Sequence, residues 1–226
     1  MLNLIKILFL LILFLNFSVK AFPIPENNEA NFDIIRKNKV IGSYNIFFSK
    51  DDDFNYIETK IYILVKIMFV TAYEFSHNSK EIWKNNKFIS IEAHTDFEDE
   101  REYFIKGNVE EDFFHASGMD GNLKLNKNLI PSNYWNIDVM YQKEVFDTQK
   151  GIARDLDIKE LDEEIIEING KKILCKKFIL NASQNPKDKG PFPTYTLWYS
   201  ENNELMKFKF KNWKDKKIVT IVRNDQ

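Results

Sequence analysis

Apolar and polar residues alternate at every second position through most of this chain, and that period restricts its fold more than any other feature. In VIGSYNIFFS, Val40, Gly42, Tyr44, Ile46 and Phe48 share one face; Ser43, Asn45 and Ser49 share the other with Ile41 and Phe47. From Tyr56, YIETKIYILVKIMFV places Ile57, Thr59, Ile61, Ile63, Val65, Ile67 and Phe69 on one side. Its β-branched content argues against a helix, and the spacing predicts one long bent strand continuing through Tyr73 and Phe75 to His77. The same reading predicts strands at FDIIR, EIW, KFISIEAHT, REYFIKG, DFFHAS, GIARDLDI, EEIIEI, KILCKKFIL, TYTLWYS, ELMKFKF and KIVTIV. Asn85 and Asn86 suit a tight hairpin, because asparagine tolerates the positive φ such a turn requires.

One stretch breaks the period. In LIPSNYWNIDVMYQKEVFDT, Ser132 or Asn133 can cap a helix, and Trp135, Val139 and Met140, then Val145 or Phe146, recur at helical spacing. The expected architecture is mainly β: a large curved antiparallel sheet, a half-barrel or open barrel, with one short helix packed on it. No repeat or linker divides residues 22–226, which read as a single β domain.

Residues 1–21 read as a secretory signal peptide: Lys6, an apolar run from Ile7 to Phe17, and small residues up to Ala21. The run is shorter than the roughly 20 residues of a spanning helix, so no stable transmembrane segment is expected after cleavage; a retained anchor is the alternative. No cysteine follows the run that could be lipidated, since Cys175 is the only one in the chain. It cannot form an internal disulfide, and its apolar neighbours suggest a packed thiol. Cleavage removes Lys6 and Lys20 and takes the formal charge from -2 to about -4, a balance that argues against nucleic acid as a partner.

The candidate chemistry is sparse. His77 and Glu81 would be neighbours on a helix, but on a strand they share a face about 13 Å apart, too far to grip one metal ion. The expectation is a hydrogen-bonded surface histidine and a solvated carboxylate. His94, Asp96 and His115 could join them only if neighbouring strands brought them together. Ser117 lies two residues from His115, beyond hydrogen-bond reach on a flat strand. HExxH, paired CxxC, GxSxG and glycine-rich phosphate loops are absent from the sequence, so no cofactor or catalytic residue is assigned. What remains is an aromatic surplus of 20 Phe, 9 Tyr and 4 Trp, which can line an apolar cavity.

The ordered set Gly42, Tyr73, His77, Glu81, Trp83, His94, Thr95, the run IPSNYWN, Gly151 and LWY resembles an exported bacterial family known only as a domain of unknown function, number 6134. The resemblance runs from about Asn31 to about Val222; Tyr134, Trp135 and Asn136 after Pro131, and Glu81 with Trp83, are its most specific parts. It implies an exported protein of this shape and no particular activity. The strand pattern is also similar in architecture to the lipoprotein-carrier half-barrels of the bacterial envelope.

The leading expectation is a periplasmic, non-catalytic binding protein for an apolar or lipid-like ligand, with Tyr73, His77, Glu81, Trp83, Tyr134, Trp135 and Trp198 as the binding residues. Two alternatives stand beside it: an envelope scaffold with a protein partner, and a metal-dependent envelope enzyme using His77, Glu81 and His94.

Overall fold

The computed structural model describes residues 22–97 and 101–224; the expected leader, residues 1–21, lies outside them. Fourteen antiparallel strands form one sheet. They are β1 (Glu29–Arg36), β2 (Lys39–Asp51), β3 (Phe54–Ile67), β4 (Val70–Lys84), β5 (Lys87–Asp96), β6 (Glu102–Glu110) and β7 (Phe113–Gly118). There follow β8 (Gly121–Asn126), β9 (Glu144–Asp147), β10 (Ile152–Ile168), β11 (Lys171–Ala182), β12 (Tyr195–Ser200), β13 (Leu205–Lys211) and β14 (Ile218–Arg223). Their spatial order is β8-β7-β6-β5-β4-β3-β2-β1-β14-β13-β12-β11-β10-β9. Strands adjacent in sequence are therefore adjacent in space, except that β1 pairs with β14 and the chain jumps from one sheet edge, β8, to the other, β9.

That jump decides the interior. The sheet has one apolar face and, among the described residues, no helical layer to bury it, so it curls on itself, and residues 127–143 cross from edge to edge through the concavity. Leu129, Trp135, Ile137, Val139 and Met140 of the crossing are buried in one core with Phe32, Ile46 and Leu197 of the wall. The expected short helix is a single 3-10 turn, Ile137–Tyr141, capped by Asn136, whose side chain accepts from the Asp138 N–H. Val145 and Phe146, which share the helical spacing in the sequence, instead belong to β9. Burial of Leu129, Pro131, Asn133, Trp135, Asn136, Ile137, Val139 and Met140 on more than one side of this crossing overrides the one-faced pattern of a surface helix.

The sheet does not close into a barrel. Its two edge regions meet at one rim: Met119 N–H donates to the Lys150 carbonyl at 2.7 Å, and Phe114 packs edge-on against Phe146 at 4.9 Å. Gly118 and Gly151 permit this approach, since a Cβ on Gly118 would lie 2.5 Å from the Gly151 Cα. The free side of β9 is covered by the crossing itself, through Phe146 N–H to the Ile130 carbonyl at 2.9 Å and Ser132 N–H to the Phe146 carbonyl at 2.8 Å.

Three strand boundaries differ from the sequence reading. The long strand expected from Tyr56 to His77 is a hairpin turning at Met68 and Phe69, where no Gly or Asn announces a turn. Strands expected separately at GIARDLDI and EEIIEI are one strand, β10, with an irregularity between Leu161 and Glu164. GNLKLN, too polar to signal burial, forms β8. Among the described residues, no helix is long and apolar enough to cross a membrane.

The seam between the edges is testable. Gly118→Ala forces backbone against backbone and is expected to destabilise the fold by about 1–3 kcal/mol in urea unfolding. A loss below about 0.5 kcal/mol, the usual effect of a surface substitution, would show that the edges are not held together there.

Candidate functional site

β4 carries Phe75, His77, Ser79, Glu81 and Trp83 on its inner face, all buried. The stretch read to His77 and the shorter strand read at EIW belong to one continuous strand, and His77 and Glu81 point inward. This corrects the expected surface histidine and solvated carboxylate: both share the parity of Phe75 and Trp83, and that face is the core face.

Glu81 is a point at which the crossing segment is fastened to the wall. Trp83 Nε1–H donates to Oε2 at 2.7 Å, and the Asn133 amide donates to Oε1. Asn133 Oδ1 in turn accepts from Thr148 Oγ1 at 3.0 Å, so the carboxylate, the crossing and the turn after β9 form one chain of hydrogen bonds. Burial pushes the Glu81 carboxyl up to about 7, while the donors of Asn133, Trp83 and Trp135 restrain the rise. Trp135 Nε1 lies beside this carboxylate without meeting full hydrogen-bond geometry.

His77 occupies the same stripe nearer the opposite rim. Its Nδ1 is 2.8 Å from Thr95 Oγ1, while Nε2 and the nearby Thr59 Oγ1 are buried with no hydrogen-bond partner among the described residues. Burial, reinforced by His94, lowers the imidazole to about 3, so it is neutral at physiological pH. Polar atoms of this kind in a dry interior ordinarily carry a cost unless water or a ligand meets them.

The other candidates do not converge. His94 lies on the opposite face of the sheet, stacked on Phe104 at 4.5 Å, with Nε2 2.7 Å from Glu102 Oε1. Asp96 is exposed at the end of β5. His115 packs beside Phe113, and Ser117 Oγ donates to the Lys106 carbonyl at 3.4 Å. Among the described residues, no group of three or more His, Cys, Asp or Glu side chains gathers as a metal site.

The expected binding residues divide into three places. Trp83 and Trp135 meet inside at 5.7 Å between ring centroids, and Phe22 packs on both, at 5.4 and 5.0 Å. Tyr134 lies further along the same interior against Tyr195 and Phe208, its carbonyl accepting from the Tyr199 hydroxyl at 2.8 Å. Trp198 is buried in a separate small cluster with Ile166, Ile168 and Cys175, and its Nε1–H donates to Glu164 at 3.2 Å. Burial pushes the Cys175 thiol up to about 11, as expected of an unreactive packed cysteine. Tyr73 stands beyond the rim on the β3–β4 hairpin, 39% exposed.

Two groups had no signature in the sequence. Phe22 is one. The other is buried Arg154, which donates to Asp147 at 2.7 Å, to both Asp188 oxygens at 3.0 Å and to the Ser183 carbonyl at 2.8 Å. Burial would raise the Asp188 carboxyl, but Arg154 and Lys150 outweigh it and hold it at about 2. This network ties the loop after β11 to the β9–β10 corner; its partners lie far apart in sequence.

Residues 32–223 match a domain of unknown function, DUF6134. The chain belongs to that family. No curated protein matches it. Among solved structures, the DUF6134 chain is similar to the β-barrel-like protein of another domain of unknown function, DUF1849, from Brucella abortus. That likeness has a TM-score of 0.60 at 11% identity and covers 87% of this chain and 95% of the other. A provisionally assigned lipoprotein from Parabacteroides distasonis aligns with a TM-score of 0.40 at 13% identity, covering 89% of this chain and 96% of that one. At these identities the first likeness is one of fold.

The two inner titratable groups give opposite pH dependences. Glu81 is raised from 4.5 to about 7, so the folded state retains a proton that the unfolded chain has lost, and stability falls as pH rises through that window. His77 is lowered from 6.5 to about 3, so its contribution rises from pH 3 to pH 6.5 and is complete above that. The two oppose each other between pH 4.5 and 6.5. Glu81→Gln removes the falling contribution. In urea unfolding from pH 4 to pH 8, the variant should gain on the wild type by about 3 kcal/mol. A difference between the two proteins that does not vary with pH would refute the raised carboxyl.

Proposed function

We propose that this DUF6134 protein is an exported, periplasmic, non-catalytic binding protein that takes an apolar or lipid-like chain between the inner wall of the sheet and the crossing segment. The observation that carries this reading is Phe22. Its ring fills the slot between Trp83 and Trp135, yet residues 22–25 belong to no strand. An apolar group can therefore occupy the slot from a tail, without any sheet pairing. Cleavage after Ala21 would make Phe22 the first residue of the mature chain.

An acyl chain has the chemistry to replace Phe22. At that rim a shallow cleft of about 110 Å³ opens beside Phe22 and Pro23, too small for a lipid until the phenyl ring withdraws. In this reading Trp83, Tyr134 and Trp135 form the wall, and Glu81 and His77 are the polar groups within it. Tyr73 and Trp198 lie outside the chamber and have no part in it. The packed aromatic rings then describe the unliganded, closed state.

Native mass spectrometry of the protein purified from a bacterial periplasm, followed by organic extraction, tests this directly: a retained lipid-sized mass is expected. Phe22→Ala should take up a fluorescent fatty-acid probe roughly fivefold more tightly than the wild type, equivalent to about 1 kcal/mol. A bare protein mass together with no probe uptake by either protein would end the binding reading.

A further inference from the structure

The β3–β4 hairpin extends beyond the sheet that bears it. β2 pairs with β3 only as far as Gly42↔Ile63, and β5 pairs with β4 only from Ser76↔Asp96. Beyond those points, residues 64–67 and 70–75 are paired with each other among the described residues and form a two-stranded arm. A ribbon of this kind is marginal in water by itself.

Its tip is apolar where turn chemistry would be cheaper. Ile67 pairs with Val70, leaving Met68 and Phe69 as a two-residue turn. Met68 is 90% exposed, Phe69 101% and Val70 69%. Met68 also adopts φ +56, a region that suits Gly or Asn. Other tight turns in this chain place Asn38, Asn85, Asn86 and Gly170, or the polar Lys37, Asp52 and Glu111, in this region, so this turn differs in being apolar rather than in its conformation. Apolar side chains this exposed bury nothing within the chain and add nothing to the turn itself.

Charge is distributed unevenly around the arm. Lys66 precedes the tip, and exposed Lys37 and Lys39 stand at the β1–β2 turn on the same rim of the sheet. Next along the same rim, joined through Arg36↔Val219, the β13–β14 loop adds exposed Lys214, Lys216 and Lys217 beside half-exposed Trp213. The acid of that loop, Asp215, is already engaged by Arg36. On the arm's other flank the described ends of β5 and β6 carry the exposed acids Asp96 and Glu102.

We propose that the tip of the arm enters the headgroup region of an anionic bilayer leaflet, with the lysine flank turned toward the phosphates and the acidic flank turned away. Three apolar residues at the end of a two-stranded ribbon limit insertion to interfacial depth, because backbone groups cannot enter hydrocarbon unpaired. Lysine stems beside the tip can lie along the acyl boundary with their ammonium groups among the headgroups. A partner that paired with the ribbon edges would have no use for a bare Met-Phe turn. This inference stands independently of the interior: a protein with an empty chamber would dock in the same way.

The test is flotation of the purified exported chain with vesicles of phosphatidylglycerol and phosphatidylcholine, and with phosphatidylcholine vesicles alone. The wild type should bind the anionic vesicles, and Phe69→Asp should bind them at least about tenfold more weakly with an unchanged unfolding midpoint, since Phe69 is wholly exposed. Lys37→Glu combined with Lys39→Glu should weaken binding and flatten its salt dependence. No association of the wild type with anionic vesicles would overturn the proposal, as would Phe69→Asp binding like the wild type. Equal binding to neutral vesicles would overturn the role of the lysine flank. A protein captured through Phe69 without vesicle association would overturn membrane docking in favour of a protein contact.

Discussion

A wide antiparallel sheet with one apolar face and no helices to cover it has to bury that face against itself. This constraint governs the molecule. Curling brings the edge regions together at one rim, where Gly118 meets Gly151, but a curled sheet of fourteen strands encloses more space than its own side chains fill. The jump from β8 to β9 supplies the filling. Had the meander simply continued, the crossing and its buried Trp135 would not exist.

The buried carboxylate of Glu81 makes sense within that arrangement. A crossing segment held only by apolar contacts could settle in several registers, whereas Asn133 meeting Glu81 and Thr148 fixes one. The arrangement carries a cost, visible in a carboxyl raised by its surroundings and in a neutral His77 with one unpartnered nitrogen. The Arg154 network contrasts with it: its acids are met by Arg154 and Lys150, and its effect is to pin a loop. Trp135 Nε1 lies at the Trp83–Trp135 slot, whereas the unpartnered Nε2 of His77 lies further along the stripe, toward the opposite rim.

β4 links the two ends of the molecule. Its Trp83 end meets Phe22 and the crossing, and its Val70 end rises into the arm. The strand is 15 residues long, roughly 50 Å at the usual rise, so slot and arm tip lie at opposite rims. Events at one rim can therefore proceed without steric interference at the other.

Much of the fold was legible because period-two alternation survives wherever one face of a strand is buried. The all-β class, the antiparallel sheet and the Asn85–Asn86 and LWYS–ELMKFKF hairpins follow from pattern and turn chemistry alone. β4 was read in two pieces, one ending at His77 and one at EIW, although the parity that His77 and Glu81 share with Phe75 and Trp83 already marked one inward face. The hairpin at Met68 was hidden because its turn carries no turn residues, and β8 because its residues are largely polar. Only the tertiary structure decided that residues 127–143 cross the interior, that Phe22 meets Trp83 and Trp135, and that Trp198 and Tyr73 stand apart from them. Each of these is a long-range choice between faces or edges, and local periodicity sets only which residues share a face, not what that face will meet.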